Sequence, residues 1–529
     1  MLEYCLNFGK IIKEKKLPYC LIISWAIYVF FCSFSWDQLL HTESIYQYDN
    51  STSLLRALTM YAHPPIHNIL IYFTLMIFGQ QHQNAYIFSI LCNLVSLLLT
   101  YLIGKNLEKT TNIPNIANLS VLLMAICPYI ILGSFQIECD PSLLTVAVLF
   151  YIYYILKNIN SVNLARNLGI MFFILLWIKE STPVLIHLPA IIFLMIYRKK
   201  ELFKFPLISF IVPLLLFLIT YGIYSHLAFG DWGAIRFNFM KFGPQTMSKD
   251  LQIMGIIQRL VLLTVWILPV TALGYGFFIF KKDKRVEINL LKTISLFFLI
   301  VMIIRAVSIS FPRYYSPILP LIFLGFSMWI LPIDFKNKSV LKILIVLLLF
   351  LMPYYLMRKD WYLPIYLYVN GESNVKEVAM SLLLVGLPII AAFCFIRNKI
   401  YFKLILLMIY ITQAISLGSF QARANYSTNH QYGTKGLEKT LVYIKKNIPL
   451  NEQNKIYFPF YDYHFNRNNV LYSDYSKIRK WTEFGGCIYV VGRKYDFEKK
   501  YPITEKERET LLQQYKTIAV IDSYIIKKK

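Results

Sequence analysis

The residues best suited to chemistry lie in short polar segments between long apolar runs. They are the acids Glu43, Asp49 and Asp140, the elbow His63, Pro64 and Pro65, and the cations Lys179, Arg305 and Arg313. Arginine and lysine can neutralise the phosphate of a leaving group. A carboxylate beside a hydroxyl or an amine can act as a general base. Charged groups close to hydrocarbon are costly, so these residues are candidates for a functional site.

Several of these residues have a purely structural alternative. Glu43, in the sequence LLHTESIYQYDN, fits a solvated loop carboxylate equally well. Asp140 precedes Pro141 at the start of an apolar run, an arrangement typical of a helix N-cap. Lys179 and Glu180 are adjacent and can pair with each other. These alternatives stay open at the level of the sequence.

The remaining candidate residues also have more than one interpretation. Arg313 suits a phosphate or a lipid head group. His63 either hydrogen-bonds a substrate or caps the helix that follows, and capping is the favoured interpretation. His63 and His67 are too few to indicate a zinc site. No metal ligand set and no cofactor are predicted, although a divalent metal is left open.

The elements that position these residues are apolar helices. The chain has 529 residues, of which 57% are hydrophobic and 16% charged, with a mean hydropathy of +0.51. Soluble proteins carry about a quarter charged residues, so this composition indicates a multi-pass membrane protein. The first run follows basic residues, lacks a small-residue cleavage site and is interpreted as a retained helix. The net charge of +25 fits lysines beside membrane spans better than nucleic-acid binding.

Apolar runs predict about 13 transmembrane helices. The predicted spans are 17–34, 84–104, 115–136, 141–157, 167–180, 183–197, 205–228, 258–280, 289–310, 314–331, 339–357, 377–396 and 400–418.

The apolar segment 66–79 is too short to cross a hydrocarbon core of about 30 Å at about 1.5 Å per residue. The basic segments 10–16 and 198–204 both belong on the cytoplasmic side. Six spans between them keep both inside, so 66–79 is predicted to lie on the outer surface as an interfacial helix. Counting all 13 spans in this way places the candidate residues and the C-terminus on the outer side of the membrane.

Two domains are predicted. Residues 1–424 form a transmembrane domain with an external catalytic loop at 35–83. Residues 425–529 alternate helical and strand-like patterns, with a capping-box pattern at Thr504 and Glu507. The segment 517–526 is interpreted as one closing strand. This region predicts a small extracytoplasmic α/β domain that binds an acceptor or covers the site.

The ordered motifs resemble the GT-C superfamily of integral membrane glycosyltransferases. The nearest branch includes protein O-mannosyltransferases, lipid A aminoarabinose transferases and rhizobial lipopolysaccharide-core transferases. The resemblance covers residues 17 to about 330. It rests on Thr42-Glu43, Tyr46, His63-Pro64-Pro65, Phe78-Gly79, Asp140 in ECDPSLL, Lys179 in WIKES and Arg313 in PRYYSPILP.

The resemblance implies an inverting transfer of a sugar from a polyprenyl-phosphate donor. The acceptor is a lipid, a glycan or a protein outside the bacterial cytoplasmic (inner) membrane. Glu43 would activate the acceptor and Asp140 would help to shape the site. The donor phosphate would be held by Lys179, Arg313 and Arg305. Substrate positioning would fall to Tyr46, His63, Pro64 and Pro65.

One departure leaves the base assignment open. The family commonly has Asp-Glu where this chain has Thr42-Glu43, and Asp49 is the nearest replacement if the first acid is essential. Two other function classes also remain. A transporter or flippase predicts internal repeats and mid-membrane charges, and a non-catalytic scaffold predicts no converging site. The sugar, the acceptor and the prenyl length are not determined by the sequence.

Overall fold

The computed structural model describes most of the chain. The described residues are 18–33, 36, 42–59, 63–198, 204–230, 232, 256, 260, 263–264, 267–305, 312–331, 333, 338–356, 375–421, 436–453, 456–457, 489–493, 513–522 and 524–529.

Helices dominate the described residues up to position 421. The helices of the first half are α1 (Tyr19–Ser33), α2 (Thr42–Asn50), α3 (Leu54–Leu58), α4 (Ile66–Phe78), α5 (His82–Thr111), α6 (Ile116–Ala125), α7 (Pro128–Gly133), α8 (Asp140–Asn158), α9 (Leu164–Ile178), α10 (Thr182–Arg198) and α11 (Lys204–Phe229). The later helices are α12 (Pro269–Phe280), α13 (Val286–Arg305), α14 (Leu319–Ile330), α15 (Lys338–Leu356), α16 (Val375–Phe395), α17 (Lys399–Gln421), α18 (Leu437–Asn447) and α19 (Leu450–Gln453).

Each predicted span overlaps one or more of these helices. Five described helices, namely α5, α8, α11, α13 and α17, are long and apolar enough to cross a membrane by length and composition. Nine shorter apolar helices of 10–17 residues accompany them among the described residues, and α4 is one of these. The number of crossings and the interfacial position of α4 remain predictions.

Two segments contain local structure that the sequence did not predict. The predicted span 115–136 is broken into α6 and α7, because the residue before Pro128 avoids the helical region: Cys127 has φ −66° and ψ 120°. The predicted external loop 35–83 contains the helices α2 and α3 in addition to α4. Ser53 caps α3, since its hydroxyl accepts a hydrogen bond from the backbone N–H of Arg56 at 3.3 Å.

The long helix α5 organises the core of the first half and packs against α6 and α8. Gly104 permits the contact with α6, because a Cβ at this position would lie 2.6 Å from the Cα of Ala117. Small residues allow helix backbones to approach closely where lipid supplies no hydrophobic driving force. In the same core, α1 and α5 meet the C-terminal end of α7: Asn93 in α5 and Tyr28 in α1 both hydrogen-bond Ser134.

The C-terminal region contains a four-stranded sheet in the order β1 (Ile456–Tyr457), β2 (Tyr489–Arg493), β4 (Tyr524–Lys528), β3 (Lys516–Ile521). The pair β1–β2 is parallel, and the pairs β2–β4 and β3–β4 are antiparallel. The predicted single strand at 517–526 is wrong, because the chain reverses at Asp522, whose φ is +51°. The predicted capping box at Thr504 and Glu507 lies outside the described residues, and the division into two domains remains a prediction.

Candidate active site

A buried ion pair joins two of the predicted site residues. The Lys179 ammonium donates a hydrogen bond to Oδ2 of Asp140, and both side chains are almost completely buried. Lys179 follows α9 directly, and Asp140 opens α8. Burial by itself disfavours a charged ammonium, but the attraction of Asp140 raises the pKa of Lys179 above its ordinary value. Lys179 is therefore a fixed positive charge.

The other oxygen of Asp140 is unusual. Oδ1 is buried and has no hydrogen-bond partner among the described residues. The first turn of α8, Asp140–Leu144, is π-helical, and the N-cap position carries no side-chain hydrogen bond. The N-cap alternative for Asp140 is therefore wrong. Such π-helical turns occur frequently at functional sites, and a buried acceptor without a donor costs about 1–3 kcal/mol.

The segment around Arg313 lies beside Lys179. Residues Pro312–Ile318 form a 3₁₀ helix, and the ring of Tyr314 lies 4.8 Å from the Lys179 ammonium. The backbone of Arg313 is thus adjacent to a residue that contacts the site. Arg305 ends α13. The side chains of Arg313 and Arg305 lie outside the described atoms, so their phosphate-binding roles remain predictions.

Glu180, the residue after Lys179, forms a second ion pair with His63. Nδ1 of His63 lies 3.1 Å from Oε1 and 3.2 Å from Oε2 of Glu180. A carboxylate only accepts, so Nδ1 of His63 carries the proton that is donated. Burial would raise the pKa of Glu180, but the positive charge and hydrogen bond of His63, with Lys179, lower it to about 2.

This second pair corrects two expectations. Lys179 and Glu180 do not pair with each other but with Asp140 and His63. His63 does not cap α4, because Pro65 holds the N-cap position without a side-chain hydrogen bond. Pro64 and Pro65 are buried at the entrance to α4, where proline at 64 disfavours helix at 63.

The helix α2 hydrogen-bonds two segments that border this site. The N–H of Ile137 donates to the hydroxyl of Ser44 at 3.0 Å, three residues before Asp140. The Asn68 amide of α4 lies 3.4 Å from the carbonyl oxygen of Gln47. Glu43 precedes Ser44, so its backbone lies at this junction. The side chains of Glu43 and Tyr46 are outside the described atoms, and their roles remain predictions.

Asp49 lies in the last turn of α2 and is half-buried. Asp49 is six positions after Glu43 in the sequence, which corresponds to about 120° around the axis of α2. Asp49 remains the predicted alternative to Glu43 for the base.

Two further residues were not assigned a role from the sequence. His67 is buried in α4 and lies 3.3 Å, at Nε2, from the Ser142 hydroxyl, which itself donates to the Glu138 carbonyl. Burial lowers the pKa of His67 to about 3, so the ring is neutral at pH 7. In the sequence, the only signal for this contact is that Ser142 lies two residues after the candidate acid Asp140.

Among the described residues, no three His, Cys, Asp or Glu side chains are grouped as a metal would require.

Comparisons with known proteins agree with this architecture. The family described as dolichyl-phosphate-mannose-protein mannosyltransferase matches residues 62–224, a stretch that includes His63, Asp140 and Lys179. No curated protein sequence matches significantly.

Two solved structures share the fold. The crystal structure of ArnT from Cupriavidus metallidurans bound to undecaprenyl phosphate matches with a TM-score of 0.58 and 12% identity, over 96% of this chain and 97% of that chain. The apo structure of the same ArnT gives a TM-score of 0.50 and 11% identity, over 99% and 98%. The chain therefore shares the fold of these ArnT structures, as the sequence resemblance predicted, and it is an integral membrane protein.

Proposed function

We propose that this chain, which has the GT-C fold, is an inverting glycosyltransferase. It moves a sugar from a polyprenyl-phosphate donor to an acceptor on the outer side of the bacterial cytoplasmic membrane, and the acceptor is a lipid, a glycan or a protein. The observation that carries the proposal is the buried Asp140–Lys179 pair, in which Oδ1 of Asp140 has no partner among the described residues. Ser44, the residue after Glu43, hydrogen-bonds Ile137, three residues before Asp140.

Lys179 binds the donor phosphate in this mechanism. An ammonium has three N–H donors, and among the described residues only Asp140 takes a hydrogen bond from Lys179. Two donors are thus available to phosphate oxygens. Arg313 and Arg305 add charge from the neighbouring segment and stabilise the negative charge that develops on the leaving phosphate.

Glu43 acts as the general base, with Asp49 as its alternative. The acceptor oxygen or nitrogen attacks the anomeric carbon on the face opposite the phosphate, which inverts that centre. The bond between this carbon and the phosphate oxygen breaks, its electron pair leaves with the polyprenyl phosphate, and the acceptor proton passes to the carboxylate. Asp140, Tyr46 and the His63–Pro65 elbow position the two substrates.

The comparisons support the choice of donor. One related structure holds undecaprenyl phosphate, and the matching family is described by its use of dolichyl-phosphate mannose. Both are polyprenyl phosphates. The Lys179 ammonium suits such a leaving group, because the negative charge on the phosphate rises as the sugar departs.

The test uses the purified full chain in lipid nanodiscs with a panel of undecaprenyl-phosphate-linked hexoses and pentoses and a cell-envelope extract. Mass spectrometry measures free undecaprenyl phosphate and the glycosylated product. Wild type is expected to release undecaprenyl phosphate and form product. Glu43→Gln should reduce the rate at least about 100-fold, and Asp49→Asn serves as the matched control for the base.

The same assay separates the competing classes. Equal transfer by wild type and Glu43→Gln would reject the role of Glu43, and a large loss in Asp49→Asn alone would transfer that role to Asp49. In sealed vesicles, movement of an intact lipid-linked sugar across the bilayer without cleavage would instead identify a flippase. Neither cleavage nor movement would favour the scaffold.

A further inference from the structure

The two ion pairs start from consecutive residues whose side chains diverge. Lys179 has φ −156° and ψ 131°, an extended conformation in which neighbouring side chains point to opposite sides. Lys179 consequently reaches Asp140, while Glu180 reaches His63 in the elbow before α4. The cation proposed to bind phosphate is therefore one residue away from a buried carboxylate that faces a histidine.

The charges at this turn decide whether it can receive an anion. Asp140 and Glu180 are two carboxylates, and Lys179 is one ammonium, so without His63 the described groups sum to a negative charge. Burial alone would raise the pKa of Glu180, but with His63 in place its charge and hydrogen bond lower that pKa to about 2, so Glu180 is ionised in the pair. Of the other groups packed here, His67 is neutral and Glu138 is a further buried carboxyl group. A phosphate would meet a net negative turn unless Glu180 is neutralised.

We propose that His63 is the counter-ion of Glu180 and, through this role, a positioning residue for the donor phosphate. Protonated His63 cancels the charge of Glu180, which leaves the charge of Lys179 to be shared by Asp140 and the incoming phosphate. The inference rests on the proposed function, since it assigns the phosphate of the lipid donor to Lys179. It differs from a purely mechanical role, in which the His63–Glu180 contact only holds the elbow in place.

The experiment measures equilibrium binding of undecaprenyl phosphate to the full chain in nanodiscs at low ionic strength. His63→Gln should weaken binding on the order of tenfold, because a buried carboxylate near the phosphate is then uncompensated. His63→Lys restores the positive charge and should bind within about threefold of wild type. Glu180→Gln should also bind within about threefold, because the charge that needs a counter-ion is gone.

The double variant His63→Gln/Glu180→Gln separates the two roles. An electrostatic counter-ion predicts that the double variant recovers most of the affinity lost in His63→Gln. A mechanical contact predicts that Glu180→Gln and the double variant bind as weakly as His63→Gln. His226→Gln, at an exposed histidine of α11, controls for the substitution itself.

Equal affinity of His63→Gln and wild type, or no recovery in the double variant, overturns the inference and leaves the proposed function intact. No binding of undecaprenyl phosphate by wild type would overturn both.

Discussion

Two buried polar clusters lie close together in the chain and treat their side chains differently. One is the turn of Lys179 and Glu180. The other surrounds His187 in α10, which is completely buried and stacked on Phe172 with ring centroids 4.0 Å apart. Nε2 of His187 lies 2.8 Å from the carbonyl oxygen of Ser209, so this nitrogen carries the proton. Nδ1 then accepts from the Tyr151 hydroxyl at 2.7 Å.

The His187 cluster is closed, and the Lys179 turn is not. Both ring nitrogens of His187 have protein partners, so the cluster has no capacity left for a ligand and serves packing. At the turn, Oδ1 of Asp140 has no partner among the described residues, and Lys179 uses one of its three donors. Burial of polar groups therefore does not by itself mark a functional site, whereas unsatisfied hydrogen-bonding capacity beside a fixed charge does.

The largest expected effect comes from removing the cation. Lys179→Met leaves Asp140 buried without a partner, and the unfolding free energy measured by denaturant in micelles should fall by about 3–5 kcal/mol. Sugar transfer should become undetectable. Asp140→Asn combined with Lys179→Met removes the isolated charge and should recover much of the stability without recovering transfer. Recovery of both properties would place this turn with the His187 cluster as a packing element.

The next largest expected effect is the loss of the Glu180 ion pair at low pH, which should distinguish this turn from the His187 cluster. The pKa of Glu180 is lowered from 4.5 to about 2 in the folded protein, so its pairing stabilises the fold fully above pH 4.5. That contribution, up to about 3 kcal/mol, should disappear as the pH falls from 4.5 through 2. The unfolding free energy of wild type minus that of Glu180→Gln, measured between pH 6 and 2, isolates it. A difference that does not shrink over this window would mean that Glu180 is not ion-paired.

The sequence predicted the helices well because long apolar runs are a strong signal, and each predicted span overlaps a helix. It also selected Asp140 and Lys179, since charges are rare within such runs. It could not predict their pairing. Adjacent Lys179 and Glu180 suggest each other as partners, and only the extended backbone at Lys179 sends them to Asp140 and His63.

Other parts were beyond sequence reasoning for equally specific reasons. The helix α2 is mostly polar and α3 has only five residues, so neither shows an apolar periodicity that would predict a helix. The hairpin of β3 and β4 depends on a positive φ at Asp522, within a run that otherwise has a continuous strand pattern. Ser44 carries no charge, and its contact with Ile137 spans 93 positions of sequence.

The smallest expected effect tests the closed cluster. Tyr151→Phe keeps the ring and removes only the hydroxyl that donates to Nδ1 of His187, so the unfolding free energy should fall by about 1 kcal/mol. Undecaprenyl-phosphate binding and sugar transfer should remain within about twofold of wild type, because this cluster holds no unsatisfied group for a ligand. Tyr410→Phe is a matched control, since its hydroxyl donates to the Leu123 carbonyl at 2.7 Å in an equally buried position. If Tyr151→Phe impaired transfer while Tyr410→Phe did not, the His187 cluster would be coupled to the site, and the contrast between a packing cluster and a functional turn would have to be abandoned.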